Sequence, residues 1–239
     1  MSQRHALWAF MIGCLIFLLT ACAAGPSATQ APGASPTAAA PTATSQPTAT
    51  TLPVGTVLYQ ASWSHGLSGW QGTHGWKVVN GQLVADSSGP NILAIPYRPT
   101  VSDYAVEVRL RVVRLLKPNG GYFTIAAPKT TGKDGYQAGV NNLLGIEPRP
   151  NGSHPQAQVF IDPSSSMAPG SALPIDYEPG SGWHIYRVEV LGNEARLLAD
   201  GVQIGRASSE QTNVLSNGPI NLSTALIVLR VSSVRVVAV

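Results

Sequence analysis

Apolar and polar residues alternate along much of the chain after residue 55, and this period of two is typical of β-strands with one buried face. The clearest case is a run in which apolar residues at even positions alternate with charged residues at odd positions: Val106, Glu107, Val108, Arg109, Leu110, Arg111 and Val112. The pattern predicts a strand with one side on a core and the other in water. No segment combines a helical period with capping residues, so we expect strands rather than helices.

Two-residue turns separate several of these runs. Asn80-Gly81 and Asp200-Gly201 each lie between two apolar runs, and Gly192-Asn193 joins a further run to the second pair. Such dipeptides adopt positive φ at low cost and are a strong short-range signal for a β-hairpin. Many antiparallel strands at short spacing predict an all-β protein, a two-sheet antiparallel jelly-roll sandwich over residues 55–239.

The N-terminus has the features of an export signal over residues 1–21. Arg4 supplies a basic start, and residues 6–19 form an uninterrupted apolar run. The motif Leu19-Thr20-Ala21-Cys22 resembles the bacterial lipobox, in which the cysteine becomes the mature N-terminus and carries the acyl chains. The resemblance implies that Cys22 is lipidated, with membrane lipid as its partner.

An uncleaved membrane helix is the alternative interpretation of this segment, because residues 6–24 are about long enough to cross a bilayer. Both interpretations put the remainder of the chain outside the cytoplasm. The lipobox resemblance implies an extracytoplasmic protein that is lipid-anchored to the cell membrane or to an outer membrane.

Residues 22–54 are predicted to form a disordered linker after the lipidated cysteine. Beyond Cys22 they contain no charged residue and consist largely of Ala, Thr, Ser and regularly spaced Pro. Such a segment cannot bury a core. Because Cys14 leaves with the signal peptide, the mature chain has no thiol for a disulfide or a nucleophile, and its core must stabilise it.

Charge excludes one class of partner. The formal net charge is only +3 and charged residues make up 11% of the chain, which is too weakly basic for a nucleic-acid-binding protein. A surface rich in neutral polar residues is compatible with binding an uncharged polymer. We expect a monomer.

Several stretches resemble concanavalin A-like, laminin G-like jelly rolls. They are Trp70 with residues 76–83, the strand 104–110, the hairpin that follows Trp183, and the closing runs 218–222 and 231–236. A relative in that superfamily is the bacterial domain of unknown function associated with 3-keto-disaccharide hydrolysis, which shares this opening and these closing strands. Its usual acidic residue near the first strand is missing here, where residues 59–62 are Tyr-Gln-Ala-Ser.

The resemblance implies a cell-surface module that binds carbohydrate without catalysis. Two alternatives stay open: a keto-sugar or glycoside hydrolase of the same fold, and a structural or protein-binding module. Retaining glycanases need two carboxylates about 5 Å apart, and those of this superfamily place both on one strand in an E-x-D-x-x-E pattern. The nearest strand here offers one acid, Glu107, with Arg109 and Arg111, so glycanase chemistry of that type is not expected.

Glu107, Arg109 and Arg111 are nevertheless candidate ligand-binding residues. On the concave face of a jelly roll they would bind sugar hydroxyls. The alternative is cross-strand ion pairing with the strand that carries Arg187 and Glu189, which has the same alternation.

Exposed aromatic rings are the second kind of sugar contact. Tyr122 and Tyr136 flank the loop 127–135 and are predicted to be exposed, whereas Trp70, Trp76 and Trp183 are predicted to be buried. The histidines are scattered, so no zinc site is expected. No cofactor is expected, although laminin G-like folds often bind calcium, for which Asp134 and Asp162 are the possible ligands.

Overall fold

A computed structural model describes residues 52–72, 74–86, 88–116, 120–143, 154–162 and 174–239. The predicted signal peptide, Cys22 and almost all of the predicted linker lie outside these residues. The strands are β1 (Val57–Gln60), β2 (Trp76–Val79), β3 (Gln82–Asp86), β4 (Asn91–Ala94), β5 (Tyr104–Leu115), β6 (Gly121–Ala127), β7 (Gly135–Leu143), β8 (Gln156–Asp162), β9 (Ile175–Asp176), β10 (His184–Leu191), β11 (Glu194–Ala199), β12 (Val202–Ser208), β13 (Asn221–Ala225) and β14 (Ile227–Ala238). The described part of the chain has no helix that is long and apolar enough to cross a membrane.

The strands form two antiparallel sheets. The eight-stranded sheet has the order β12-β11-β10-β5-β14-β3-β2, with β1 also paired to β14. The six-stranded sheet has the order β4-β13-β6-β7-β8-β9. The predicted all-β, two-sheet antiparallel jelly-roll sandwich is therefore confirmed.

The core lies between the inward faces of the two sheets. β5 contributes the alternate residues of the run that predicted it, and Val106 and Val108 are completely buried. Large aromatic side chains fill the middle, where the Phe123 ring meets the Tyr186 ring edge-on at 4.8 Å. Trp70 and Trp76 are buried in the same cluster, as predicted.

The predicted hairpin turns are confirmed. Asn80 and Gly81 have φ of 50° and 70°, and Asp200 and Gly201 have φ of 49° and 84°. Two consecutive residues at positive φ match the twist of the flanking strands, which is why this turn connects β2 to β3 and β11 to β12.

Candidate functional site

The outer face of the eight-stranded sheet carries the charged side of β5. Arg187 on β10 and Arg235 on β14 stand opposite Glu107 in the register. Arg187 Nη1 donates to Glu107 Oε1 at 2.5 Å, Arg235 Nη2 donates to Glu107 Oε2, and Arg187 Nε donates to Glu189 at 2.8 Å. The cross-strand ion pairs of the alternative interpretation are therefore present.

These ion pairs control the ionisation of Glu107. Burial acts to raise the pKa of the carboxyl, but the hydrogen bonds and charges of Arg187 and Arg235 outweigh it and hold the pKa below the usual value. A carboxyl in this state is charged at neutral pH, and both of its oxygens already accept hydrogen bonds. Glu107 therefore has no proton to give to a leaving group.

Arg109 and Arg111 are arranged differently, around the Trp183 ring. Their guanidinium carbons lie 4.8 Å and 5.0 Å from its centroid. The prediction that Trp183 is a core residue is wrong, because it is only half-buried. In β10 the even-numbered Tyr186 and Val188 point inward, so the odd-numbered Trp183 falls on the outer side, where β5 presents its arginines.

The outer face of the six-stranded sheet has a different chemistry. Four neighbouring strands, β4, β13, β6 and β7, contain no charged residue at all. In their place the outward positions of β7, β8 and β13 carry amides and hydroxyls. These are Gln137, Asn141, Gln156, Gln158, Asn221 and Ser223.

The register places these polar groups in rows across the strands. Asn141 Nδ2 donates to Gln158 Oε1 at 2.7 Å. In the next rows, Gln137 stands opposite Ala126, and Ala126 stands opposite Asn221. The amides are thus held by the sheet itself rather than by loops, which fixes their spacing.

A depression of about 190 Å³ opens on this face. Gln137, Asn221, Ser223 and Lys129 supply its polar lining, and Ile92 supplies an apolar wall. The Ile92 side chain is 57% exposed. The depression therefore brings amide, hydroxyl and exposed apolar surface together on one sheet face.

The loop between β6 and β7 borders the depression and is fixed by Asp134. The Asp134 carboxylate is buried, accepts a hydrogen bond from Ser209 Oγ, and lies 3.9 Å from Lys129 Nζ. Ser209 Oγ in turn accepts the backbone N–H groups of Gln211 and Thr212 at 3.0 Å and 3.2 Å. These contacts tie the loop to the segment after β12.

Calcium binding stays a prediction. Of the two possible ligands, Asp134 has the partners just described, and the Asp162 side chain lies outside the described part of the structure. Among the described residues there is no group of three or more histidine, cysteine, aspartate or glutamate side chains that could hold a metal ion.

The two tyrosines predicted to be exposed differ. Tyr122 is half-buried on the outer face of the six-stranded sheet, and burial raises its pKa. The prediction for Tyr136 is wrong, because its side chain is only 2% exposed. Tyr136 shares the inward side of β7 with Ala138 and Val140.

The buried Tyr136 hydroxyl has a structural role. It lies 3.0 Å from the Tyr104 hydroxyl, which donates to the Ser216 carbonyl at 3.0 Å. The Tyr104 oxygen therefore accepts a hydrogen bond from the Tyr136 hydroxyl. Burial raises the pKa of Tyr136 well above its ordinary value.

The amides of the six-stranded sheet were not among the binding residues predicted from the sequence. A pattern that indicates them is present, since Gln156, Gln158 and Phe160 alternate with Ala157 and Val159. Such a run predicts a strand with a neutral polar face. It does not show which other strands share that face.

Comparison with known proteins gives a family and a fold. A family model described as the 3-keto-alpha-glucoside-1,2-lyase-like domain matches residues 62–232. No curated protein matches the chain.

Three solved structures have a similar fold. The endo-beta-1,3-glucanase from Pyrococcus furiosus is 14% identical with a TM-score of 0.52, over 76% of this chain and 94% of that one. An endo-acting O-glycanase of the human gut microbiota is 15% identical with a TM-score of 0.53, over 77% and 100%. A Bacillus subtilis protein of unknown function with a galectin-like fold is 13% identical with a TM-score of 0.50, over 77% and 97%. At these identities the similarity is one of fold.

Proposed function

Since the chain belongs to the family of 3-keto-alpha-glucoside-1,2-lyase-like domains, we propose that it binds carbohydrate, and that the outer face of the six-stranded sheet holds an uncharged sugar. The observation that carries the proposal is the row of amides and hydroxyls on strands that contain no charged residue. Side-chain amides both donate and accept hydrogen bonds, as sugar hydroxyls do, and they cost less to desolvate than charged groups.

Apolar contacts on the same face complete the proposed site. A pyranose ring has an apolar face as well as its hydroxyls. The exposed side of Ile92 and the half-buried ring of Tyr122 offer surfaces for it. Ile92 lines the depression together with Gln137 and Asn221, and Tyr122 lies outside that lining on the same face.

We propose binding rather than hydrolysis. Hydrolysis by two carboxylates needs one of them protonated. Glu107 is on the other sheet, where two arginines keep it charged. Glu189, the acidic residue that shares Arg187 with Glu107, is ion-paired as well. A structural or protein-binding role is the remaining alternative.

The test is retention of the full-length chain, in detergent, on immobilised dextran, amylose and laminarin. We expect retention on at least one of these uncharged glucans and its release by the free oligosaccharide. Circular dichroism checks that the protein is folded. A folded chain that passes through all three matrices would contradict the proposal and would favour the protein-binding alternative.

Cys22 lies outside the described residues, and we propose that it carries the lipid that holds the protein at the cell envelope. Changing Cys22→Ser is expected to move the protein from the membrane fraction to the soluble fraction of a bacterial host, because the acyl anchor is lost. Cys14→Ser is the matched control and should leave the protein with the membrane. Membrane retention of Cys22→Ser, with an N-terminus upstream of residue 22 by mass spectrometry, would indicate an uncleaved helix.

A further inference from the structure

Charges on the outer face of the eight-stranded sheet are divided into two regions. In one region each carboxylate is held by arginines. Glu107 binds Arg187 and Arg235, and Glu194 binds Arg196 and Arg206. The charges of this region largely cancel.

The other region is basic. Arg230 on β14 stands directly opposite Arg111 on β5, and Lys77 on β2 follows in the same row beyond Val84. Arg109 stands one row away, opposite Ser233. Among the described residues, neither Arg109 nor Arg111 has a carboxylate within 4.0 Å, the limit for an ion pair.

Trp183 holds the two arginines of β5 in place. Both guanidinium groups lie within 5.0 Å of its ring centroid, and Arg109 Nη1 also donates to Ser232 Oγ at 3.0 Å. Arg111 Nε is buried and has no hydrogen-bond partner. A guanidinium that stacks on a ring keeps its in-plane N–H groups for an acceptor, and a buried N–H without one is unfavourable.

We propose that Arg109, Arg111 and Trp183 form a binding site for the carboxylates of an acidic glycan, separate from the site on the six-stranded sheet. A carboxylate matches the fork of an arginine with two parallel hydrogen bonds. Such a ligand would supply acceptors to arginines that have no carboxylate partner within the described structure.

The layout of the cations favours a linear polymer over a single ion. Neighbouring strands are about 4.8 Å apart, so the row from Arg111 through Arg230 to Lys77 spans roughly 14 Å across four strands. Arg111 and Arg230 are half-buried in the sheet surface. A narrow polymer chain reaches such positions, whereas a flat lipid surface meets protruding side chains first.

The experiment compares two double variants of the full-length chain that remove equal charge from the same sheet. The probe is polygalacturonate, whose sugars carry carboxylates. We expect Arg109→Gln with Arg111→Gln to weaken its binding by about tenfold or more, because charge-assisted hydrogen bonds are lost. The control, Arg196→Gln with Arg206→Gln, should bind within about twofold of the parent, since these two arginines are paired with Glu194 and lie on strands other than β5.

Further measurements distinguish binding at this site from general electrostatic attraction between the protein and the polymer. Fully methyl-esterified polygalacturonate, which has lost the charge, should not bind at this site. Arg109→Gln alone, at the more exposed position, should give an intermediate loss, and melting curves verify that each variant is folded. Equal loss in both double variants, no binding by the parent chain, or binding to phosphatidylglycerol vesicles without binding to polygalacturonate would each overturn the proposal.

Discussion

Replacing Gly139 with alanine is expected to lower the melting temperature of the protein by about 6–12 °C, for a loss of about 3 kcal/mol in a domain of this size. A Cβ atom at Gly139 would lie 2.1 Å from the Phe123 carbonyl oxygen and 2.7 Å from the Thr124 Cα. Both atoms belong to the backbone of β6, so no side chain can rotate away. Relief requires β6 and β7 to separate, which weakens their pairing.

Gly89→Ala is the matched control for this substitution. Nothing lies within 4 Å of a Cβ atom placed at Gly89, and its φ is not positive. The free energy of unfolding should stay the same or rise by a few tenths of a kcal/mol, because alanine restricts the unfolded chain. Circular dichroism melting of both variants gives the comparison. A Gly139→Ala protein that melts with the parent would show that β6 and β7 can adjust at no cost.

The parts of the fold that depend on neighbouring residues could be predicted from the sequence. Alternation in residues 106–112 identified β5 and its buried side. The Asn80-Gly81 and Asp200-Gly201 turns identified two hairpins, because positive φ at consecutive residues is a local requirement. Which strands then share a sheet is a long-range property, and local pattern does not contain it.

The errors at Tyr136 and Trp183 have a common physical cause. Each aromatic residue lies at a strand end, where alternation has few residues on one side to fix which face a side chain takes. Tyr136 lies two and four residues before Ala138 and Val140, so the alternation places its ring in the core between the sheets. Trp183 lies two and four residues before Ile185 and Arg187, so the alternation places its ring on the outer face of the eight-stranded sheet. There two arginines of β5 attract the ring. In both cases the alternation of the adjoining strand, continued to its end, gives the face that the side chain takes.

The location of the candidate site depended even more on topology. Gln137 and Asn221 are 84 residues apart in the chain (221 − 137). They share a row because β6 lies between β7 and β13, with Ala126 between the two amides. Two strand spacings separate them by about 10 Å, and the small side chain of Ala126 leaves the space between them open. This geometry is the reason that the depression has amides on opposite sides.

Removing both amides should therefore remove most of the binding to an uncharged glucan. The double change Gln137→Ala with Asn221→Ala is expected to weaken binding by about tenfold or more, since each neutral hydrogen bond contributes about 0.5–1.5 kcal/mol. Titration calorimetry with the glucan that retains the parent chain gives the affinity. Gln203→Ala, an exposed amide on β12 of the other sheet, is the matched control and should leave the affinity unchanged. If the control and the double variant bind equally well while both remain folded, the sugar is bound elsewhere. Loss of two hydrogen bonds to the sugar would weaken binding, so an unchanged affinity means that the amides on either side of Ala126 do not contact it.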